Sequence, residues 1–197
     1  MTELLTCPVC GTPPVPGAKF CHACGTLLDV TEDVTAERRV VTVVFGDLSD
    51  FTAWAEDLDP ERVSVMTDRV LAALSRATVD MGGRVDKLTG DGIMAVFGAP
   101  TAHEDDAERA VRAAARMQRD VRRLMEDETG GGRRLGLRVG VNTGEVLAGV
   151  QANLTYTVVG DTVNTASRLS DAAGIGSVYA GRDTALATMS IASWRAL

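Results

Sequence analysis

The sequence predicts an α+β domain with a ferredoxin-like βαββαβ core, preceded by a small cysteine-bearing module. Three observations predict it. Short apolar runs of strand character alternate with segments whose apolar residues recur every three or four positions, in the order β-α-β-β-α-β. A Thr89-Gly90-Asp91-Gly92 turn joins two such runs mid-order, as a hairpin does. All four cysteines fall within the first 24 of 197 residues, apart from the body.

The cysteines form two copies of one unit, Cys7-Pro-Val-Cys10-Gly11 and Cys21-His-Ala-Cys24-Gly25, with ten residues between Cys10 and Cys21. Four thiolates so spaced can surround one Zn²⁺ tetrahedrally at about 2.3 Å each. Two disulfides or unpaired thiols are the alternatives, and without a secretory leader disulfides are the less favoured. The expected unit is a zinc ribbon over 1–28, with a structural metal, because so short a segment has no core of its own. His22 is not needed as a ligand. A polar, acidic stretch over 29–37 reads as a linker.

The body is taken as 38–197. Val40 to Phe45 is a β-branched run that suits a buried strand, ended by Gly46-Asp47. Asp59-Pro60 opens a helix with proline in its first turn, and Val63, Met66, Val70, Leu74, Ala77 and Met81 form its stripe. Gly82-Gly83 ends it. Strands follow at Arg84–Leu88 and Ile93–Phe97, then a helix from about Glu104 with Ala107, Ala110, Ala114, Met117, Val121 and Leu124 inward. Leu135–Val141 and Glu145–Val150 read as a strand pair about Asn142-Thr143-Gly144. Tyr156–Val159 reads as a strand, and Asp161 as the cap of a helix to about Ala173. The expected sheet is mostly antiparallel, with helices on one face. Ile191-Ala-Ser-Trp-Arg resembles an unfinished strand, so the domain is expected to be truncated at its C-terminus.

Composition excludes several function classes. Twenty Lys and Arg against 27 Asp and Glu give a net charge of −7, and only eight residues are aromatic. Such a chain lacks the basic groove and stacking platforms of a nucleic-acid binder. No apolar run reaches the roughly 18 residues of a membrane span, and no basic, apolar leader opens the chain, so a cytoplasmic protein without a membrane partner is expected. His22 and His103 are the only histidines, and the body has no cysteine, which leaves little material for nucleophilic triads. Of the 20 basic residues only Lys19 and Lys87 are lysines.

Two carboxylates end strands. Asp47 closes the first, and Asp91 sits at the hairpin tip. In a βαββ core these strands can be neighbours, and paired carboxylates there suit Mg²⁺ or Mn²⁺ shared with phosphates. Ordinary turn chemistry accounts equally for an isolated Asp-Gly. Asn164 and Arg168, four apart, share a helix face, where an amide and a guanidinium suit a ribose and a phosphate; a solvated face is the plainer reading. Lys87 is either a surface residue or a donor to a base.

Together, Val41-Thr-Val-Val-Phe-Gly-Asp47-Leu-Ser-Asp-Phe51-Thr52, Lys87-Leu-Thr-Gly-Asp91-Gly and Thr157-Val-Val-Gly-Asp-Thr-Val-Asn164-Thr-Ala-Ser-Arg168-Leu resemble the class III adenylate/guanylate cyclase catalytic domain. The likeness runs from about Arg38 to Ala180. The paired CPxCG units before an ERRxVTV strand resemble bacterial cyclases with a zinc ribbon. The resemblance implies that Asp47, Asp91 and the Leu48 carbonyl hold two Mg²⁺ or Mn²⁺. It implies that Lys87 and Thr157 read the purine, with Phe51 and Thr52 in the substrate-binding turn. Asn164 would orient the ribose and Arg168 meet charge on the α-phosphate. Sites in this family are shared between two catalytic domains, which implies a homodimer.

The implied activity is conversion of ATP to cyclic AMP and pyrophosphate, since Lys with Thr resembles adenylate rather than guanylate cyclases. Asp50 departs from the family, standing where a glycine is usual and adding a carboxylate near the phosphate path. Two other functions stay open: a nucleotide-binding regulatory module with weak or lost turnover, and a cyclase using GTP. A third makes the ribbon a docking element for nucleic acid or another protein, and the acidic charge argues against the nucleic-acid version.

Overall fold

The computed structural model describes residues 36–56, 58–127, 135–151 and 155–196, and before them residues 6, 7, 10–13, 15, 22 and 23. The chain divides into two units, Met1–Thr35 and Ala36–Leu197. In the first, Cys7 is buried, and the Gly11 amide donates to the Cys7 carbonyl at 2.9 Å. Gly11 has φ +70°, so the residue after the CxxC unit makes a left-handed turn that glycine adopts without strain.

The second unit runs β1 (Glu37–Ser49), α1 (Phe51–Ala55), α2 (Pro60–Asp80), β2 (Arg84–Leu88), β3 (Gly92–Phe97), α3 (Asp106–Asp127), β4 (Gly136–Gln151), β5 (Thr155–Val159), α4 (Asp161–Ala172), β6 (Val178–Ala180) and α5 (Arg182–Ala187). The strands make one sheet in the order β2-β3-β1-β4-β5, with β6 parallel to β4 over Val139–Val141. The other pairings are antiparallel. The expected βαββαβ order is present, and α2 begins as predicted: the Asp59 carboxylate accepts from the Glu61 amide at 2.9 Å with Pro60 in the first turn.

Alternation along the strands separates two cores. Val44, Leu48, Ile93, Ala95, Phe97, Leu137 and Val139 face α2 and α3, where Val70, Leu74, Met117 and Val121 cover them. Val41, Val43, Met94, Val96, Val146, Ala148 and Val158 face the other way, against Ala166 of α4. This corrects the expectation that helices cover one face. Gly140 is the physical reason: a Cβ there would come within 2.2 Å of the Ala166 carbonyl oxygen, so its absence lets the α4 backbone lie on the strand.

Three local readings are also corrected. Residues 135–150 do not form two strands about Asn142-Thr143-Gly144. β4 is continuous, because β1 is long enough to pair with every residue from Gly136 to Ala148. There the Thr143 hydroxyl meets that of Thr42 at 2.9 Å, and the Asn142 amide donates to the Thr162 carbonyl at 3.1 Å, so these polar groups tie β4 to β1 and to α4 instead of closing a turn. The N-cap of α4 is Gly160, with Asp161 in the first turn. Ile191 to Arg195 make no strand; Ile191 and Trp194 pack on the core, and the Trp194 indole N–H donates to the Thr188 hydroxyl at 2.9 Å. No helix among the described residues is long and apolar enough to cross a membrane.

Candidate active site

The register of β1 and β3 builds the centre of the site. Asp47 pairs with Gly92, so the carboxylate that ends β1 lies beside the hairpin turn carrying Asp91. The Leu48 amide donates to the Asp91 carbonyl at 3.2 Å, and the Thr89 amide donates to the Gly92 carbonyl at 3.0 Å, which closes the turn. A Cβ on residue 92 would fall 3.3 Å from Asp47 Oδ1 and 2.7 Å from the Gly46 carbonyl oxygen, so glycine keeps this cleft open. Burial pushes the Asp47 carboxyl above its ordinary range, opposed by the Arg138 hydrogen bond and reinforced by the charges of Asp91 and Asp171.

Two carboxylates that repel each other next to a glycine-lined gap are a hard-oxygen donor set of the kind Mg²⁺ and Mn²⁺ prefer. Among the described residues no group of three or more metal-capable side chains occurs. The pair would therefore need backbone carbonyls, water or phosphate to complete a shell, which fits a cation that arrives with a nucleotide. Arg138, which no pattern in the sequence singles out, stands opposite Asp47 in β4 and donates to its Oδ2 at 2.8 Å. It adds a permanent cation to the cleft.

Lys87 is exposed on β2, and its register opposite Met94 puts it on the same sheet face as Asp47. Thr157 is buried on β5, and its hydroxyl donates to Asp86, the neighbour of Lys87, at 2.7 Å. Thr157 is thus tied to the residue next to Lys87, although β2 and β5 lie at opposite ends of the strand order. Arg84 secures this closure: it donates to Asp86 at 2.6 Å and to the Tyr156 carbonyl at 3.1 Å, and sits over the Tyr156 ring at 5.3 Å.

Asn164 and Arg168 lie one turn apart on α4 and are both exposed. Thr162, Ala166 and Ser170 are the buried stripe of that helix, so the Asn164 and Arg168 pair points away from its own sheet. Among the described residues neither side chain makes a hydrogen bond or ion pair, although the Asn164 backbone amide donates to the Gly160 carbonyl at 3.4 Å. The Phe51 ring packs on the core and 5.9 Å from the Trp54 ring, and Thr52 lies in α1, its side chain outside the description. Of the four cysteines, Cys7 and Cys10 are described, whereas Cys21 and Cys24 lie outside the described residues.

Residues 34–191 match the family described as Adenylate and Guanylate cyclase catalytic domain. The chain belongs to that family. Among solved structures it is similar to the adenylyl cyclase CyaB from P. aeruginosa, with 30% identity and a TM-score of 0.75, over 79% of this chain and 83% of the other. It is similar also to the guanylyl cyclase Cya2, with 35% identity and a TM-score of 0.72, over 77% and 79%. Among curated relatives, Adenylate cyclase 1 of Rhizobium meliloti is 33% identical over 138 residues, 68% of this chain. That stretch is 21% of the relative's length, so the chain corresponds to about a fifth of it.

Proposed function

We propose that the chain is an adenylate cyclase that converts ATP to cyclic AMP and pyrophosphate in a site shared between two copies. The observation that carries the reading is the juxtaposition of Asp47 and Asp91 through the β1–β3 register, on the sheet face that also bears Lys87. Asp47, Asp91 and the Leu48 carbonyl would hold two Mg²⁺ or Mn²⁺, whose chemistry when bound is to acidify the ribose 3′-hydroxyl and neutralise the leaving phosphates. The 3′-oxygen then bonds to the α-phosphorus as the bond to the β-phosphate bridging oxygen breaks, and the hydroxyl proton passes to water. No protein base is required, in keeping with the scarcity of histidine.

Asn164 would hold the ribose and Arg168 the charge on the α-phosphate. Their outward direction on α4 supports a symmetric homodimer, since a partner's carboxylates are the ones such side chains would meet. Lys87 donates to the N1 acceptor of adenine, and the Thr157 oxygen accepts from the 6-amino group. Curated relatives include a guanylate cyclase subunit, 31% identical over 150 residues, so base choice rests on those two side chains. The ribbon would close on zinc through Cys7, Cys10, Cys21 and Cys24 and dock a protein partner. The test is purified protein with MnATP or MnGTP, followed by chromatography of cyclic nucleotide and release of pyrophosphate. Cyclic AMP with little cyclic GMP is expected. Absence of either product, with nucleotide bound, would leave the regulatory-module reading in its place.

A further inference from the structure

The residue before Lys87 is as constrained as any in the site. Asp86 is the extra residue where the β2–β3 register shifts, between Val85 opposite Ala95 and Lys87 opposite Met94. Its side chain is 0% exposed. One oxygen accepts from Arg84 at 2.6 Å, the other from the Thr157 hydroxyl at 2.7 Å. A threonine hydroxyl has one proton and two lone pairs. With that proton given to a carboxylate, Thr157 offers only acceptors to anything else it meets.

We propose that Asp86 is a positioning residue that sets base choice by holding Thr157 as a hydrogen-bond acceptor. This rests on the reading that Thr157 and Lys87 face the purine. An acceptor suits the 6-amino group of adenine and opposes the 6-carbonyl of guanine, which needs a donor. Without Asp86 the hydroxyl would rotate and serve either base. The bulge joins the two determinants: it puts Lys87, the donor, next to the residue that polarises the acceptor. Arg84 makes the consequence of an isosteric change specific. A guanidinium only donates, so the amide oxygen in Asp86→Asn would turn to Arg84 and the amide NH₂ to Thr157. Thr157 would then accept from residue 86 and direct its proton towards the base.

The test measures the ATP-to-GTP ratio in two ways on the full chain: kcat/KM, and displacement of a fluorescent ATP analogue in the presence of Ca²⁺, which reads affinity whether or not turnover occurs. Wild type is expected to favour ATP at least about tenfold. Asp86→Asn should move both ratios towards GTP by about tenfold or more, Asp86→Ala should move them the same way by less, and Asp86→Glu should retain the ATP preference. In a Thr157→Val background Asp86→Asn should leave the ratio unchanged, because the hydroxyl through which it acts is gone. Melting curves identify variants that do not fold, and either Asp86→Asn or Asp86→Ala alone suffices. A merely structural role would lower binding of both nucleotides equally. Unchanged ratios in folded Asp86 variants, an equal shift in the Thr157→Val background, or no base preference in wild-type binding would each overturn the proposal. Absence of turnover with the ratios behaving as stated would instead overturn only the cyclase reading.

Discussion

Gly140→Ala is a one-carbon change at a position that touches no expected substrate residue, yet it should disable the site. The added methyl would lie 2.2 Å from the Ala166 carbonyl oxygen, 2.3 Å from the Ser170 nitrogen and 2.9 Å from the Leu169 carbonyl carbon. These are backbone atoms of α4, and no rotamer change relieves them. Restoring ordinary contact requires α4 to retreat from β4 by about 1 Å, in an interior packed too closely to absorb it elsewhere. Overpacking of this kind costs roughly 1–3 kcal/mol, or about 2–4 °C of melting temperature per kcal/mol in a domain of this size. Because α4 carries Asn164 and Arg168, the same retreat misplaces both, and a 1 Å error in such groups costs about a hundredfold in rate. Urea melts and the cyclic AMP assay read the two effects. A Gly140→Ala protein within about 0.5 kcal/mol of wild type and fully active would refute the claim that α4 is seated on this glycine.

Asp50 has φ +55°, a left-handed conformation that glycine adopts freely. Asp50→Gly should therefore not lower stability, should raise it by up to about 1 kcal/mol, and should tighten triphosphate binding several-fold by removing a charge; weaker nucleotide binding would contradict this. The raised Asp47 carboxyl holds its proton more tightly in the folded protein than in the unfolded chain, so its ionisation lowers stability as pH rises above the ordinary 3.8. Wild type should lose stability relative to Asp47→Asn over that rise, and Mn²⁺ should raise the melting temperature of wild type but not of Asp47→Asn; parallel pH curves and equal Mn²⁺ effects would refute both. Metal analysis of protein purified without chelator should find one zinc per chain, lost on Cys7→Ser while the cyclase unit still melts cooperatively.

The parts of the fold that rest on local periodicity were legible in the sequence. The stripes of α2 and α3, the Asp59-Pro60 start and the Thr-Gly-Asp-Gly hairpin follow from residues close in the chain, and Asp47 and Asp91 follow from the strand ends they mark. What was illegible depends on partners far away. Asn142-Thr143-Gly144 has the composition of a turn, and only the length of β1 makes it strand. The sidedness of α4 is set by Gly140, which by itself signals nothing. Arg138 and Asp86 look like ordinary exposed charges, because strand periodicity does not say that one faces Asp47 from 91 residues away or that the other receives the Thr157 hydroxyl from 71 residues away. The closure of β2 against β5 joins non-neighbouring strands, and neither hydropathy nor spacing encodes it.

In the proposed homodimer each active site is built from the carboxylates of one copy and the α4 face of the other. Mixing Asp47→Ala with Arg168→Ala tests it directly. Each protein alone should be inactive, since both of its sites lack one component. In a mixed dimer one site lacks both residues and the other lacks neither, so random pairing at equal concentrations should return about a quarter of wild-type activity per chain. Recovery of that order, rising and falling with the mixing ratio, is the predicted result. A mixture as inactive as its parents, with mixed dimers demonstrated by differential tagging, would contradict the shared site.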